Sequence, residues 1–231
     1  MDLEKFYDNY WRVKAEDHDL TRIALIAEKI GHGERVLDVG GHIGLAAKMF
    51  AERGADVSVT DISAVALEKA RRRGIKNVFK VNLDTEFLPF DDVSFDTVVA
   101  NSSIEHIFYP RNMIAESARV LKPGGRFILL APNIGHFRFR FWLLFGRFPY
   151  HDNTPTDQLH LRFLTLADAK RLCTKFGLKT ERVDGSAGLW VGALYPNVLQ
   201  RQPFRSLYTA MARRMPSLFA RDFILVCRKV S

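Results

Sequence analysis

The chain has 231 residues, 47% of them hydrophobic, which suits a single α/β domain with insertions rather than two full domains. Its formal net charge is +8, and its two cysteines show no metal-ligand spacing, which argues against a disulfide framework and predicts buried, reduced thiols in a cytoplasmic protein. The first residues predict no secretory signal, and the longest apolar runs are too short to span a bilayer.

The positive charge is concentrated in two segments that contain no acidic residue. Residues 133–151 carry a net charge of +3, and residues 185–221 carry +5. These segments account for the whole excess of +8, so the rest of the chain is balanced. The arginines are Arg138, Arg140 and Arg147 in the first segment and Arg201, Arg205, Arg213, Arg214 and Arg221 in the second. Such segments favour an anionic or amphipathic ligand.

Residues 1–34 are predicted to form a helical cap ahead of the first strand. Residues 6–11 are rich in aromatic side chains, which can anchor this segment on the core. Apolar residues recur at helical spacing from Leu20 to Ile30, and Gly31 and Gly33 end the pattern.

Residues 35–53 have the pattern of a strand, a glycine-rich turn and a helix. Arg35 to Val39 is a short apolar strand with one acid, and Leu45 to Arg53 is the helix. Such units bind nucleotides, because glycine lets the backbone turn sharply and approach a ligand. The G-x-G-x-x-G signature of dinucleotide-binding enzymes is absent, and Asp38 would repel a pyrophosphate. A carboxylate at this position suits a cationic ligand instead.

The stretch from Asp38 to Gly44 resembles the first motif of class I S-adenosylmethionine-dependent methyltransferases, acid-x-Gly-x-Gly-x-Gly. One position departs from that motif, because a histidine replaces the middle glycine; histidine is among the residues enriched at positive φ. The resemblance implies a cofactor site that includes Asp38, Gly40, Gly41, His42 and Gly44. A structural glycine turn in an unrelated α/β domain is the alternative at this point.

The second predicted strand, Asp56 to Asp61, also ends in an acid. Asp61 follows the glycine turn by about 20 residues, the spacing at which a carboxylate accepts hydrogen bonds from both ribose hydroxyls of a bound nucleoside. Ile62 would then lie against the adenine, and Ser63 would cap a helix from Ala64 to Arg73.

The third predicted strand, Asn77 to Asn82, leads into a segment that resembles the adenine-reading loop of the same methyltransferases. The resemblance implies that Asp84 accepts a hydrogen bond from the exocyclic amine and that the Thr85 N–H meets a ring nitrogen. Alternatively, Asp84 caps a short turn.

The fourth predicted strand, Ser94 to Asn101, and the Leu-Lys-Pro-Gly-Gly turn before the fifth, Phe127 to Ala131, closely resemble the type 11, ubiquinone-type branch of these enzymes. The resemblance is good from Val36 to Pro132 and looser from 160 to 183. It implies an α/β, Rossmann-like fold: a seven-stranded, mostly parallel sheet with one antiparallel edge strand and helices on both faces. It also implies that the Asn101 backbone and Ser102 contact the cofactor, and that the aromatic N-terminal segment closes over it.

Glu105 and His106 follow the fourth strand. In ubiquinone-type O-methyltransferases a Glu-x-x-Glu-His element is linked to a metal, but the first of those positions here is Ser102, so we expect no metal site. His106 is a candidate catalytic base, because a neutral imidazole can take a proton near pH 7. The alternative is a structural histidine behind the site.

Residues 133–162 follow the fifth strand, at the ligand edge of an open α/β sheet. Aromatic side chains alternate there with arginines, which suits a lid over the acceptor, a segment at a membrane interface or a dimer surface. Nothing else in the sequence supports nucleic acid as a partner. Four residues are candidates for the acceptor site, with His160 also a candidate for catalysis: His136, Tyr150, His160 and Arg162.

A helix is predicted from Leu166 to Phe176, followed by two strands, 177–184 and 222–229, which the family pairs as an antiparallel hairpin. Between them, Pro203 begins a predicted helix that ends at Arg214. Its apolar face would consist of Phe204, Leu207, Tyr208 and Met211. Segments 133–162 and 185–221 are thus predicted insertions in one domain, residues 1–231.

The resemblance as a whole implies a methyltransferase that transfers a methyl group from S-adenosylmethionine to an oxygen or nitrogen atom and releases S-adenosylhomocysteine. The expected acceptor is a small molecule, a lipid-linked intermediate or a glycan. Peripheral membrane contact and a homodimer are further expectations. Two other functions stay open: a non-catalytic, cofactor-binding scaffold, favoured by the histidine at position 42, and an NAD-dependent oxidoreductase.

Overall fold

The computed structural model describes residues 2–14, 20–150, 154–187 and 201–230, and among these it contains one seven-stranded sheet. The strands are β1 (Arg35–Val39), β2 (Asp56–Asp61), β3 (Asn77–Lys80), β4 (Phe95–Asn101), β5 (Leu121–Pro132), β6 (Leu178–Ser186) and β7 (Asp222–Lys229). The helices are α1 (Leu3–Val13), α2 (Leu20–Ala27), α3 (Leu45–Glu52), α4 (Ala64–Arg72), α5 (Pro110–Val120), α6 (Phe137–Leu144), α7 (Leu166–Thr174), α8 (Phe204–Arg214) and α9 (Pro216–Phe219). A short 3-10 helix, Ile104–His106, follows β4.

The strand order is β3-β2-β1-β4-β5-β7-β6. All neighbouring pairs are parallel except those of β7. This strand lies second from one edge of the sheet and runs antiparallel to both of its neighbours, β5 and β6. The predicted mostly parallel sheet with an antiparallel hairpin is therefore confirmed. From β1 the strands are added in one direction to β2 and β3 and then in the other direction to β4 and β5, so the strand order switches between β1 and β4. Ligands bind beside such a switch point in open α/β folds.

Two apolar layers cover the sheet, which explains why its central strands are continuously hydrophobic. Successive residues of a strand point to opposite faces, so Leu37 joins the layer formed with α5 and α7, whereas Val36 joins the layer formed with α2, α3 and α4. Along β5, Phe127 and Ile128 divide in the same way. Both cysteines, Cys173 and Cys227, are buried free thiols in the first layer.

The predicted boundaries hold closely where local patterns are strong. Strands β1, β2 and β7 have the predicted bounds, and Ser63 caps α4 by accepting the Ala66 N–H at 3.1 Å. Strand β5 begins earlier than predicted, because Leu121 already pairs with Phe95 ahead of the glycine turn.

The predicted apolar face of α8 is only partly right, because one of its four residues is buried and two are exposed. Tyr208 and Ala212 are buried against α6 and α9, whereas Phe204 and Leu207 are 46% and 61% exposed. At Ala212 the backbone of α8 lies so close to β6 that a Cβ on Gly185 would clash with the Ala212 carbonyl oxygen. Hydropathy does not report such a contact between small residues.

Within the part of the chain that the structure describes, every helix is too short or too polar to cross a bilayer.

Candidate functional site

A cleft of about 500 Å³ lies at the carboxyl ends of β1, β2 and β4, beside the switch point. Seven of the eleven residues predicted to hold a cofactor line it: Gly40, His42, Asp61, Ile62, Asp84, Asn101 and Ser102. The other four, Asp38, Gly41, Gly44 and Thr85, do not. The cleft volume falls within the range of about 300–1,000 Å³ that is usual for small-molecule sites.

The turn after β1 keeps its glycine-type backbone in spite of the histidine. Gly40, His42 and Gly44 have φ values of 65°, 51° and 76°. The His42 N–H donates to Asp61 Oδ2 at 3.0 Å, and the His42 ring lies 5.3 Å from that of Trp11 in α1. The imidazole therefore connects the turn, the end of β2 and the N-terminal helix, and it leaves the cleft open.

Asp38 lies beneath this turn rather than in the cleft. It is completely buried, and among the described residues neither of its oxygens has a hydrogen-bond partner. Burial raises the pKa of Asp38 to about 7, and repulsion from Asp61 adds to the shift. The carboxylate would act on a cationic ligand through its field, across the backbone of the turn.

The turn passes so close to Asp38 that only glycine fits at position 41. A Cβ there would lie 2.7 Å from Asp38 Oδ2 and 2.9 Å from a Val59 methyl group. We expect Gly41→Ala to lower the free energy of unfolding by about 1–3 kcal/mol, the usual cost of overpacking. Thermal unfolding measures it, with Gly31→Ala as control, because the added Cβ there meets only the end of the Glu34 side chain. Equal melting temperatures for the two variants would contradict this account.

Asp61 ends β2 with its carboxylate at the cleft. It accepts hydrogen bonds from the N–H groups of Ser63, at 2.8 Å, and His42, at 3.0 Å. Burial raises the pKa of Asp61 to about 6, and these two donors partly offset the shift. The backbone thus fixes the carboxylate orientation, and the lone pairs that remain are available to a ligand hydroxyl.

The adenine-type loop is only partly placed as predicted. Asp84 lines the cleft, but its Oδ1 accepts the Tyr109 N–H at 2.7 Å. Thr85 is exposed outside the cleft, and its N–H donates to the Asn82 carbonyl at 3.0 Å. The predicted contact between the Thr85 amide and a ligand is therefore absent from this conformation, because the turn itself uses that donor.

The aromatic N-terminal segment forms α1 and lines one side of the cleft. Tyr7, Tyr10 and Trp11 line the cleft from this helix. Asp8 fixes α1 by accepting the Ser63 hydroxyl at 2.6 Å and the Val65 N–H at 3.2 Å. The segment is therefore an anchor on the core and also a wall of the cleft, and its closure over a bound cofactor stays a prediction.

The inner end of the cleft is lined by Glu105, His106 and His160, together with Arg22 and Arg221. Burial lowers the pKa of His106 to about 4, which keeps its imidazole neutral. Burial raises the pKa of Glu105 to about 8; repulsion from Asp222 adds to this, and attraction to the two arginines opposes it. Sequence reasoning did not assign Arg22 or Arg221 to the site, because no local pattern connects them to it.

Three of the four predicted acceptor residues lie outside the cleft lining. His136 is completely buried, accepts the Arg138 N–H at 3.2 Å and lies 2.8 Å from the Tyr208 hydroxyl, so it fixes α6 against α8. Tyr150 is 55% exposed, and Arg162 is exposed and donates to the Phe108 carbonyl. Only His160 reaches the cleft. Segment 185–221 also contains the aromatic residues Trp190 and Tyr195, which lie outside the described residues.

The fold and the cleft together define a Rossmann-like domain of the class I methyltransferase type. Residues 37–129 match the family described as a methyltransferase domain. The chain therefore carries a class I S-adenosylmethionine-dependent methyltransferase domain, and S-adenosylmethionine is the cofactor of that class.

Individual relatives agree with this assignment. Over 125 residues the chain is 39% identical to a demethylmenaquinone methyltransferase of Clavibacter sepedonicus, covering 53% of this chain and 47% of that protein. It is 33% identical over 162 residues to an uncharacterized methyltransferase of Bacillus subtilis, covering 68% and 61%. The chain thus spans about half the length of the first curated relatives that it matches. A methyltransferase structure from Archaeoglobus fulgidus has the same fold, with a TM-score of 0.66 at 16% identity, covering 99% of this chain and 100% of that one.

Proposed function

We propose that this protein transfers the methyl group of S-adenosylmethionine to an oxygen or nitrogen atom of a small-molecule, lipid-linked or glycan acceptor. The observation that carries the proposal is the juxtaposition of the strained turn after β1 with Asp61, whose carboxylate the His42 amide orients toward the cleft. The residues present fit the cofactor: Asp38 is a buried carboxylate without a hydrogen-bond partner among the described residues, beneath a backbone that admits no Cβ at position 41. Both features suit a cationic nucleoside that lies directly on the turn.

In this proposal the residues mainly bind and align the two substrates. Asp61 would hold the ribose hydroxyls, Ile62 would pack on the adenine, and the Asn101 backbone and Ser102 would contact the amino acid moiety. The bound cofactor supplies a methyl group already activated by its sulfonium. In-line transfer then depends on the alignment of donor and acceptor, which proteins achieve by restricting the motion of both.

The acceptor would enter at the inner end of the cleft. Burial keeps the His106 imidazole neutral. Its Nδ1–H donates to the Leu159 carbonyl at 3.1 Å, which leaves the Nε2 lone pair available. His106 would take the proton of an acceptor hydroxyl or amine as the methyl group is transferred, with His160 beside it. The demethylmenaquinone methyltransferases, by their name, act on a quinone, so a quinol belongs among the acceptors to be tested.

Calorimetry and a methyl-transfer screen test the proposal. In calorimetry we expect S-adenosylmethionine and S-adenosylhomocysteine each to bind with one molecule per chain, at the same site, and NAD not to bind. In the screen we expect transfer of a labelled methyl group, detected by mass spectrometry, to some acceptor among quinol, phenol, glycan and lipid-linked candidates. Binding without transfer across that panel would favour the scaffold alternative. Because His42 leaves the cleft open, the main sequence argument for a scaffold is weakened. Binding of neither nucleoside would contradict the proposal.

The proposal includes peripheral contact with an anionic membrane, through α6 and α8. Four neighbouring side chains at the end of α6, Phe141, Leu143, Leu144 and Phe145, are 51–79% exposed. Arg140 and Arg147 are exposed close to them in the sequence, α8 adds the exposed Arg205, Arg213 and Arg214, and no acidic residue occurs in either segment. Exposed apolar side chains accompanied by arginines suit the interface between headgroups and acyl chains.

Vesicle sedimentation at low and high salt checks this contact. We expect binding to phosphatidylserine-containing vesicles that weakens with salt, because each basic residue near the surface contributes about 1 kcal/mol. Leu144→Ser with Phe145→Ser should weaken binding by roughly tenfold or more, because the apolar area inserted is lost. Phe87→Ser is the matched control, since Phe87 is 79% exposed elsewhere. No binding at low salt would refute the contact, and a homodimer seen by light scattering would assign this surface to a second copy.

A further inference from the structure

Three potential metal ligands converge at the inner end of the cleft. The carboxylate of Glu105 and the imidazoles of His106 and His160 each offer a ligand atom, and these atoms all lie within 4.8 Å of one another. They come from two segments, the 3-10 helix after β4 and the loop before α7. The N–H groups of Leu161 and Arg162 both donate to the Glu105 carbonyl, at 2.7 and 3.0 Å, so the two segments are joined directly at the cluster.

Both histidines are held in the tautomer that a metal site requires. His106 Nδ1 lies 3.1 Å from the Leu159 carbonyl oxygen, and His160 Nδ1 lies 3.1 Å from the Pro155 carbonyl oxygen. A carbonyl oxygen only accepts, so each Nδ1 carries a hydrogen, and in the neutral ring each Nε2 then keeps its lone pair. Ligating histidines usually have this arrangement, in which a backbone carbonyl fixes the ring and increases its basicity.

The environment of Glu105 independently indicates that a cation binds here. Glu105 is 2% exposed, and its Oε2 has no hydrogen-bond partner among the described residues, although it lines the cleft. A buried carboxylate oxygen without a partner is costly, so native structures supply a donor or a cation to it. Nearby Arg22 and Arg221 have ion pairs at 3.4 and 3.5 Å to Asp222, not to Glu105.

We propose that Glu105, His106 and His160 bind one divalent transition-metal ion, with a fourth position open to the cleft. Two imidazoles and one carboxylate suit zinc, iron(II) or cobalt(II) better than magnesium or calcium, and three protein ligands with an open position are typical of catalytic rather than structural zinc sites. Ligand atoms around tetrahedral zinc lie about 3.5 Å apart, so the side chains converge by about 1 Å on binding. The expectation that no metal binds considered only Ser102, Glu105 and His106; the structure adds His160 as the third ligand. Water or an oxygen of the acceptor would take the open position. A metal-bound His106 could not also accept a proton, so in the metal-loaded chain the metal would replace His106 as the group that activates the acceptor oxygen. Metal binding itself does not rest on the proposed function.

Metal titration of the full chain tests the site. Protein freed of metal by chelator dialysis should take up one Co²⁺ per chain. The bound Co²⁺ should absorb visible light, as it does in low-symmetry coordination, and Zn²⁺ should displace it. Glu105→Gln and His160→Gln should each weaken Co²⁺ binding by about 100-fold. Removal of a partner that only contacts a ligand already weakens metal binding by about 10- to 100-fold, and these two residues would be ligands themselves. His32→Gln is the control, because His32 is exposed far from the cleft lining, and it should match the unmodified chain.

Two results would overturn the site. One is the absence of equimolar Co²⁺ or Zn²⁺ uptake by the unmodified, cooperatively folded chain. That result would indicate that the charge of Glu105 is balanced by the nearby arginines instead of by a metal ion. The other is Co²⁺ binding by both variants with unchanged affinity. Binding of S-adenosylhomocysteine, measured on the same samples without metal, distinguishes failure of this site from failure of the proposed cofactor site.

Discussion

Replacement of Asp61 by alanine is expected to weaken S-adenosylhomocysteine binding by about 100-fold or more. A carboxylate that accepts two ribose hydroxyls makes two charge-assisted hydrogen bonds, each contributing about 1.5–3 kcal/mol. Their joint loss corresponds to at least about two orders of magnitude in the dissociation constant. Asp61→Asn keeps one acceptor oxygen and should give an intermediate affinity. Calorimetry at pH 8, above the Asp61 pKa of about 6, provides the measurement.

The control for Asp61 is Asp56→Ala, at the exposed start of the same strand. Asp61 also accepts the N–H groups of Ser63 and His42, so circular dichroism and thermal unfolding must first establish that each variant is folded. A folded Asp61→Ala chain that binds the nucleoside within threefold of the unmodified chain would remove Asp61 from the cofactor site.

The second prediction concerns Asp38 and pH. The folded-state pKa of Asp38, about 7, lies above the ordinary value of 3.8, so folding favours its protonated form. Its contribution to stability is therefore complete below about pH 4 and is lost as the pH rises through about 7. The difference corresponds to about 4 kcal/mol in total, at about 1.4 kcal/mol for each pKa unit. Asp38→Asn removes this titration, so the variant should gain stability relative to the unmodified chain between pH 5 and pH 8.

Thermal unfolding at several pH values measures this gain, which we expect to reach on the order of 10 °C in Tm at pH 8. S-adenosylmethionine should reverse the order of stabilities, because its positive charge favours the ionised carboxylate that only the unmodified chain offers. Asp56→Asn serves as the exposed control. A Tm difference that does not change with pH would show that Asp38 is not a buried, titrating carboxylate.

The core of the cofactor site could be predicted from the sequence because its geometry is local. Asp38, the glycine turn and Asp61 belong to one strand–turn–helix–strand unit, in which parallel pairing of β1 and β2 places both strand ends at one edge. Such a unit leaves little freedom for the position of its polar residues, so their spacing along the chain predicts their positions in space. The cap at Ser63 follows from equally local chemistry, since it satisfies an amide within three residues.

The acceptor side could not be predicted in the same way. His136 has the same chemistry as His160, but it is buried outside the cleft lining and contacts the Tyr208 hydroxyl of α8. His160 enters the cleft because the backbone of the following two residues is bonded to Glu105, more than 50 positions earlier in the chain. No periodicity in the sequence records such a contact between two loops.

The amino-acid sequence by itself therefore determined the sheet, its apolar layers and the carboxylates at the strand ends, because alternation, glycine turns and helix caps act over a few residues. Only the tertiary structure decided which histidines meet Glu105, how α8 is rotated, and that Asp38 lies beneath the turn instead of in the cleft. Those features depend on the packing of segments far apart in the chain, where shape and buried hydrogen bonds, rather than residue type, select the contact.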